Sequence, residues 1–174
     1  MQTPDSELRL KAIEAAKNFF TQANPAKPFV PGESYIPVTA KKVDAEDLGY
    51  LIDASLDMWL TAGRYGREFE KEFGKYFGKP TKSLLVNSGS SANLVAISSL
   101  GSPELANFTH SPLKPGDEVI TVAAGFPTTV NPIVQNGWVP VFVDVDPKTL
   151  NATVDAIKAA KTSKTRAVIL AHTL

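Results

Sequence analysis

The chain has 174 residues, 43% of them hydrophobic, with 18 basic side chains against 18 acidic ones and no cysteine. That is enough for one domain with a real core; the balanced charge leaves no net field to hold nucleic acid or an anionic membrane, and the missing thiols exclude disulfides and cysteine-ligated metals while fitting a reducing compartment. No apolar run approaches the ~20 residues that cross a bilayer, the charged N-terminus carries no secretory h-region, and the expectation is a soluble cytoplasmic protein.

In chain order, Thr3-Pro4-Asp5 marks a helix start, with Thr3 as cap, Pro4 in the first turn, and Asp5 and Glu7 facing the positive dipole end. Leu10, Ile13, Ala16 and Phe20 continue at helical spacing. Residues 24–37 hold four prolines and a glycine, which forbids helix and predicts an extended arm. A second helix begins near Asp44, with Leu48, Leu51, Ile52, Leu56 and Trp59 as its apolar stripe, until TAGRYG at 61–66 breaks it. A third carries Phe69, Phe73 and Phe77 and stops at Gly78 and Pro80.

Beyond residue 80 the pattern changes. Ser83–Val86 reads as a short strand that runs into NSGSSAN and an apolar helical stretch, Leu94–Leu100. The turn Lys114-Pro115-Gly116-Asp117 announces a second strand, Glu118–Val122, and a helix near Thr128–Asn136 closes at Gly137. Val139–Val145 is a third strand, and a helix around Val154–Ala160 leads to a fourth, Ala167–Ala171. Strands that alternate with helices and read as near-continuous apolar runs predict an α/β parallel sheet covered on both faces. The expected division is 1–80 as helices and arm, and 81–174 as the start of a larger sheet domain.

Three stretches can carry chemistry. In NSGSSAN, Gly89 permits a tight bend after the strand, and Ser90 and Ser91 open a helix whose free N–H groups and dipole suit a phosphate; a polar turn with a serine cap is the plainer reading. Phe126, in AAGFPTTVNP, follows the next strand and can lie flat on a ring cofactor or simply pack its own loop. Arg64 and Tyr65, beside Gly63, offer a guanidinium for a substrate phosphate, against an ordinary solvated arginine. His172 reads as a structural residue at a strand end and His110 as a loop residue. Asp144 and Asp146, followed by Pro147, read as a turn and helix start rather than a metal site.

These motifs sit in a familiar order. SGSSANLVAISSL, LKPGDEVITVAAGFPTTVNPIVQNGWVPVFVDVD and TRAVILAHTL resemble the DegT/DnrJ/EryC1/StrS family of pyridoxal-phosphate-dependent sugar aminotransferases and dehydratases, from about Lys27 onward. SLDMWLTAGRYGREFEKEFGKYFG, the doubled serine and AHTL resemble its CDP-4-keto-6-deoxyglucose 3-dehydratase branch. The resemblance implies an aminotransferase-like fold (PLP fold type I), here its incomplete large domain preceded by helices. It implies that Gly89, Ser90 and Ser91 bind the cofactor phosphate, that Phe126 stacks on the pyridine ring, and that Arg64 and Tyr65 meet substrate. It further implies pyridoxamine phosphate (PMP) as working cofactor and loss of the C3 hydroxyl from a CDP-linked 4-keto-6-deoxyhexose, on the way to 3,6-dideoxyhexoses of bacterial surface polysaccharide. A homodimer, a [2Fe–2S] cluster and an NADH-dependent iron–sulfur flavoprotein reductase complete the expectation. The catalytic histidine or lysine and the cluster cysteines fall beyond residue 174, so no catalytic residue is expected in this stretch, which alone should be inactive. A sugar-nucleotide aminotransferase, a non-catalytic sugar-binding protein and a non-functional fragment are the rival readings.

Overall fold

The structure is a computed structural model, and it describes residues 4–39, 41–78, 80–108 and 111–172. The chain forms two compact units, one ending at Leu84 and the other beginning at Leu85. No helix among the described residues is long and apolar enough to cross a membrane.

The first unit is helical. Helix α1 spans Pro4–Ala23; the expected cap Thr3 lies outside the described residues. After it, residues 24–39 form the expected arm, neither helix nor strand, with one tight turn where Gly32 takes φ +84°. Helix α2, Ala45–Leu56, starts as the sequence predicts. Asp44 accepts from the N–H groups of Glu46 and Asp47, and the Asp47 carboxylate accepts from the N–H of Asp44 in return. Helices α1 and α2 pack at Gly49, where an added Cβ would stand 3.1 Å from Lys17 Cδ and 3.5 Å from Ile13 Cγ2. The expected α2 stripe is only partly inward: Leu48 and Ile52 are half-buried while Leu51 and Leu56 are exposed. Trp59 lies beyond the helix end, because Met58 takes φ +50° and ends the helical path.

Helix α3, Arg64–Tyr76, holds a stacked aromatic row, with Phe69 and Phe73 5.2 Å apart and Phe73 and Phe77 edge to face at the same distance. It ends at Gly78, φ +80°. Arg64 and Tyr65 are therefore the first turn of a helix and not loop residues: Gly63 is the N-cap, and the Arg67 N–H donates to the Gly63 carbonyl.

The second unit is a three-stranded parallel sheet, order β2-β1-β3, with β1 Glu118–Val122, β2 Val139–Val143 and β3 Thr165–Val168. Helices α4 (Gly89–Ser99), α5 (Pro127–Gln135) and α6 (Val154–Ala160) flank it. Alternation along β1 splits the core in two. Val119 packs with Ile97 of α4, Ile133 of α5 and Trp138, while Ile120 and Val122 pack with Val143 over α6. Three expectations shift, and the first is the strand expected over Val139–Val145, which ends at Val143. Ser83–Val86 is not a strand of the sheet: it carries neither helix nor strand, and the sheet's three strands, among the described residues, pair with one another. The last strand begins and ends earlier than Ala167–Ala171, because its pairing opens at Glu118↔Thr165 and its final ladder bond is Ile169 N–H to the Ile120 carbonyl. His172 thus lies four residues past that strand, exposed. His110 lies outside the described residues. Asp146 caps a turn, accepting from the N–H groups of Lys148 and Thr149.

Candidate functional site

In the second unit the motif around Ser90 builds the start of α4. Ser88 is the N-cap, its hydroxyl accepting from the Ser91 N–H at 3.2 Å. The Ala92 N–H reaches back to the Ser88 carbonyl, so the N–H groups of Gly89 and Ser90 are left without an intrahelical partner. The two adjacent serines differ. Ser91 donates its one hydroxyl proton to Asn87 Oδ1 at 2.6 Å and accepts from the Ser88 hydroxyl at 3.2 Å. Ser90 has no side-chain hydrogen-bond partner among the described residues and is exposed. Asn87, Ser88 and Ser91 therefore brace the turn, and Ser90 is the hydroxyl with a proton to offer. Gly89 leaves the mouth open, since an added Cβ would meet nothing within 4 Å.

Helix α5 lies beside α4 and runs the same way. Near their carboxyl ends, Asn136 Nδ2 donates to Ser98 Oγ at 3.0 Å. Between the first turns of α4 and the length of α5 a cleft of about 180 Å³ opens, lined by Ser90, Ser91 and Leu94 on one side and Thr128, Asn131, Pro132 and Gln135 on the other. Among the described residues no charged side chain lines it. Phe126 is the N-cap of α5, two residues before Thr128, and its ring is 69% exposed. Residues that the sequence holds 35 apart are thus carried on the amino ends of adjacent, co-directional helices.

In the first unit, Arg64 and Tyr65 join a network that periodicity did not reveal. Asp53 and Asp57, one turn apart on α2, face Arg9 of α1 and Arg64 of α3. Arg9 Nε donates to Asp53 Oδ1 at 2.5 Å and Arg9 Nη2 to Asp57 Oδ1 at 2.5 Å. Arg64 Nε donates to Asp57 Oδ2 at 2.9 Å, its Nη2 donates to Asp53, and the Tyr65 hydroxyl donates to Asp53 Oδ2 at 2.5 Å. The Tyr65 hydroxyl, then the two guanidiniums, hold the Asp53 carboxyl well below the usual carboxylate range. Arg64 and then Arg9 lower Asp57, and Asp53 and then Asp57 raise Arg64. The Tyr65 phenol is raised by its bond to Asp53 and by burial. The guanidinium of Arg64 also lies over the Tyr65 ring, 4.3 Å from its centroid. Beside the network is a cavity of about 520 Å³ lined by Asp57, Trp59, Gly63, Arg64 and Arg67.

The family model of DegT/DnrJ/EryC1/StrS aminotransferases matches residues 41–174. The chain is 49% identical over 169 residues to the lipopolysaccharide biosynthesis protein RfbH of Salmonella typhimurium (strain LT2), covering 97% of this chain and 38% of that protein. It is 50% identical over 171 residues to dTDP-4-dehydro-2,6-dideoxy-D-glucose 3-dehydratase of Saccharopolyspora spinosa, covering 98% and 36%. Among solved structures it is similar to a GDP-4-keto-6-deoxymannose-3-dehydratase with a trapped PLP-glutamate geminal diamine. There the TM-score is 0.63 at 38% identity, over 77% of this chain and 33% of that one. The fold is aminotransferase-like, and the chain spans little more than a third of the length of these curated relatives.

Proposed function

Because the chain belongs to the DegT/DnrJ/EryC1/StrS aminotransferase family, we propose that the protein carrying it is a PMP-dependent 3-dehydratase of a CDP-linked 4-keto-6-deoxyhexose, serving the synthesis of 3,6-dideoxyhexoses for a bacterial surface polysaccharide. The observation that carries this reading is the start of α4, where a Ser90 hydroxyl with no partner among the described residues and two N–H groups outside the helix ladder stand across a cleft from α5.

That donor set fits a phosphate monoester. The hydroxyl of Ser90 and the N–H groups of Gly89 and Ser90 would receive its oxygens, helped by the positive end of the α4 dipole. Ser91, tied to Asn87 and Ser88, keeps that turn in shape. The exposed ring of Phe126 would lie against the pyridine and exclude water from that face. When bound, the cofactor would supply an electron sink conjugated through its amine to the sugar, so that removal of a proton from the cofactor's side of that nitrogen lets the C3 hydroxyl leave. Arg64 and Tyr65 would border the substrate, Arg64 oriented by Asp53 and Asp57. The chain has no cysteine, so it offers no thiolate to a [2Fe–2S] cluster; the cluster cysteines, the proton-moving residue and the reductase contacts would belong to residues outside this chain. Homodimer formation and a cytoplasmic location belong to the same proposal.

The test is product analysis with the protein at its relatives' full length, supplied with PMP and the CDP-4-keto-6-deoxyhexose. Loss of the C3 oxygen is expected. A stable 4-amino sugar that keeps its C3 hydroxyl would assign a transaminase instead.

A further inference from the structure

We propose that the cavity before α3 receives the nucleotide half of the substrate, with the Trp59 indole as platform for the base and the Arg67 guanidinium as partner for a phosphate. This rests on the reading of a nucleotide-linked substrate and adds where the nucleotide is held.

Three observations meet there. The cavity holds about 520 Å³, within the range of small-molecule sites. Trp59 presents its ring to solvent, 64% exposed, yet the ring is not free to turn, since its Nε1 donates to the Ala62 carbonyl at 3.1 Å. A large apolar face held in one orientation at a concave wall is suited to stacking a flat heterocycle. The charges are then divided unequally. Arg9 and Arg64 are both committed to Asp53 and Asp57, whereas Arg67 has no ion-pair or side-chain hydrogen-bond partner among the described residues. Three guanidiniums face two carboxylates, and the unbalanced positive charge sits on Arg67 at the cavity wall. An aromatic platform beside one free guanidinium matches a ligand that is flat at one end and anionic at the other, which describes a nucleoside diphosphate. Gly63, the cap of α3, lies between them at the cavity wall, its Cβ position 3.7 Å from Trp59 Cδ1.

The experiment titrates the full-length protein with CDP, GDP and dTDP, and separately with PLP, in the parent and in Trp59→Leu and Arg67→Gln. CDP is expected to quench the exposed Trp59, and each substitution to weaken it about 10-fold or more, in line with stacking and charged hydrogen-bond contributions, with PLP affinity unchanged. Trp59→Phe and Arg67→Lys, which keep ring and charge, should retain most of the affinity and cover the case in which the first pair fails to fold. Nucleoside diphosphate affinity equal in parent and folded variants would overturn the inference. A parent that binds PLP but none of the three nucleotides would overturn the nucleotide-substrate reading and the inference with it. A parent that binds CDP through Trp59 and Arg67 but not PLP would leave the inference standing and remove the cofactor reading.

Discussion

Replacing Ile133 by alanine tests how α5 is held over the sheet. Ile133 has no exposed surface and packs with Ile97 of α4, Val119 of β1 and Trp138. The substitution deletes three carbons, about 2.4 kcal/mol at ~0.8 kcal/mol per buried methylene equivalent. The void adds to this, because the neighbours are held by two other elements, so the expected loss is about 3–4 kcal/mol. With a urea dependence of roughly 1–3 kcal/mol per molar, the unfolding midpoint falls by at least about 1 M. Trp138 is in the same cluster, so its fluorescence reports the transition directly. The next residue, Val134, is 58% exposed, and Val134→Ala should change stability by less than ~0.5 kcal/mol. Since Ile133 seats the helix that carries Phe126 and Thr128, its loss should also weaken cofactor binding. Equal effects at 133 and 134, or a loss below ~1 kcal/mol at 133, would refute the packing argument.

Further outcomes follow from the same geometry. Asp44→Ala removes the side-chain half of the α2 capping box, leaving the residue-44 N–H on the Asp47 carboxylate, and should cost about 1 kcal/mol, seen as faster amide exchange at Glu46 and Asp47. The folded Asp53 carboxyl is depressed by Tyr65, Arg64 and Arg9, while its unfolded value is near ~3.9. Its contribution is therefore complete above about pH 5 and lost as pH falls through ~4 toward the folded value. Acid titration of unfolding should show that slope, and Asp53→Asn should flatten it; an unchanged slope in the variant would contradict the assignment. Gly101→Ala places a Cβ 3.1 Å from Trp138 Cζ2 and should lower the melting temperature and shift Trp138 emission, at a cost of about 1–3 kcal/mol.

What the sequence disclosed depended on how local the cause was. Strand β1 and helix α6 were legible to the residue, since a turn, an apolar run or a capping threonine sits within a few positions of each boundary. Ser83–Val86 has the composition of a strand, but a strand is completed by a partner, and no composition reports one. The Arg64 environment was hidden for a similar reason. Arg9 and Asp53 are 44 residues apart, and only the packing of α1 on α2 brings them together. The doubled serine drew attention to the turn that opens α4. Its division into a bracing Ser91 and a free Ser90 depends on the reach of Asn87 across one helical turn, a geometric fact rather than a compositional one. Trp59 reads in the sequence as the last member of the α2 apolar stripe, and only the structure shows it exposed past the helix end; Arg67 carries no sequence signal of its own.

The central claim is that the amino ends of α4 and α5 hold a phosphate-bearing pyridine cofactor, and a PLP titration of the full-length protein reads it directly. The parent should bind PLP with the absorbance change of a stacked pyridine. Ser90→Ala should weaken it about 10-fold or more, as expected for a lost hydrogen bond to a charged phosphate, and Phe126→Ala several-fold, with melting temperatures unchanged. Ser90→Ala and Phe126→Ala proteins that bind PLP as tightly as the parent would contradict the account.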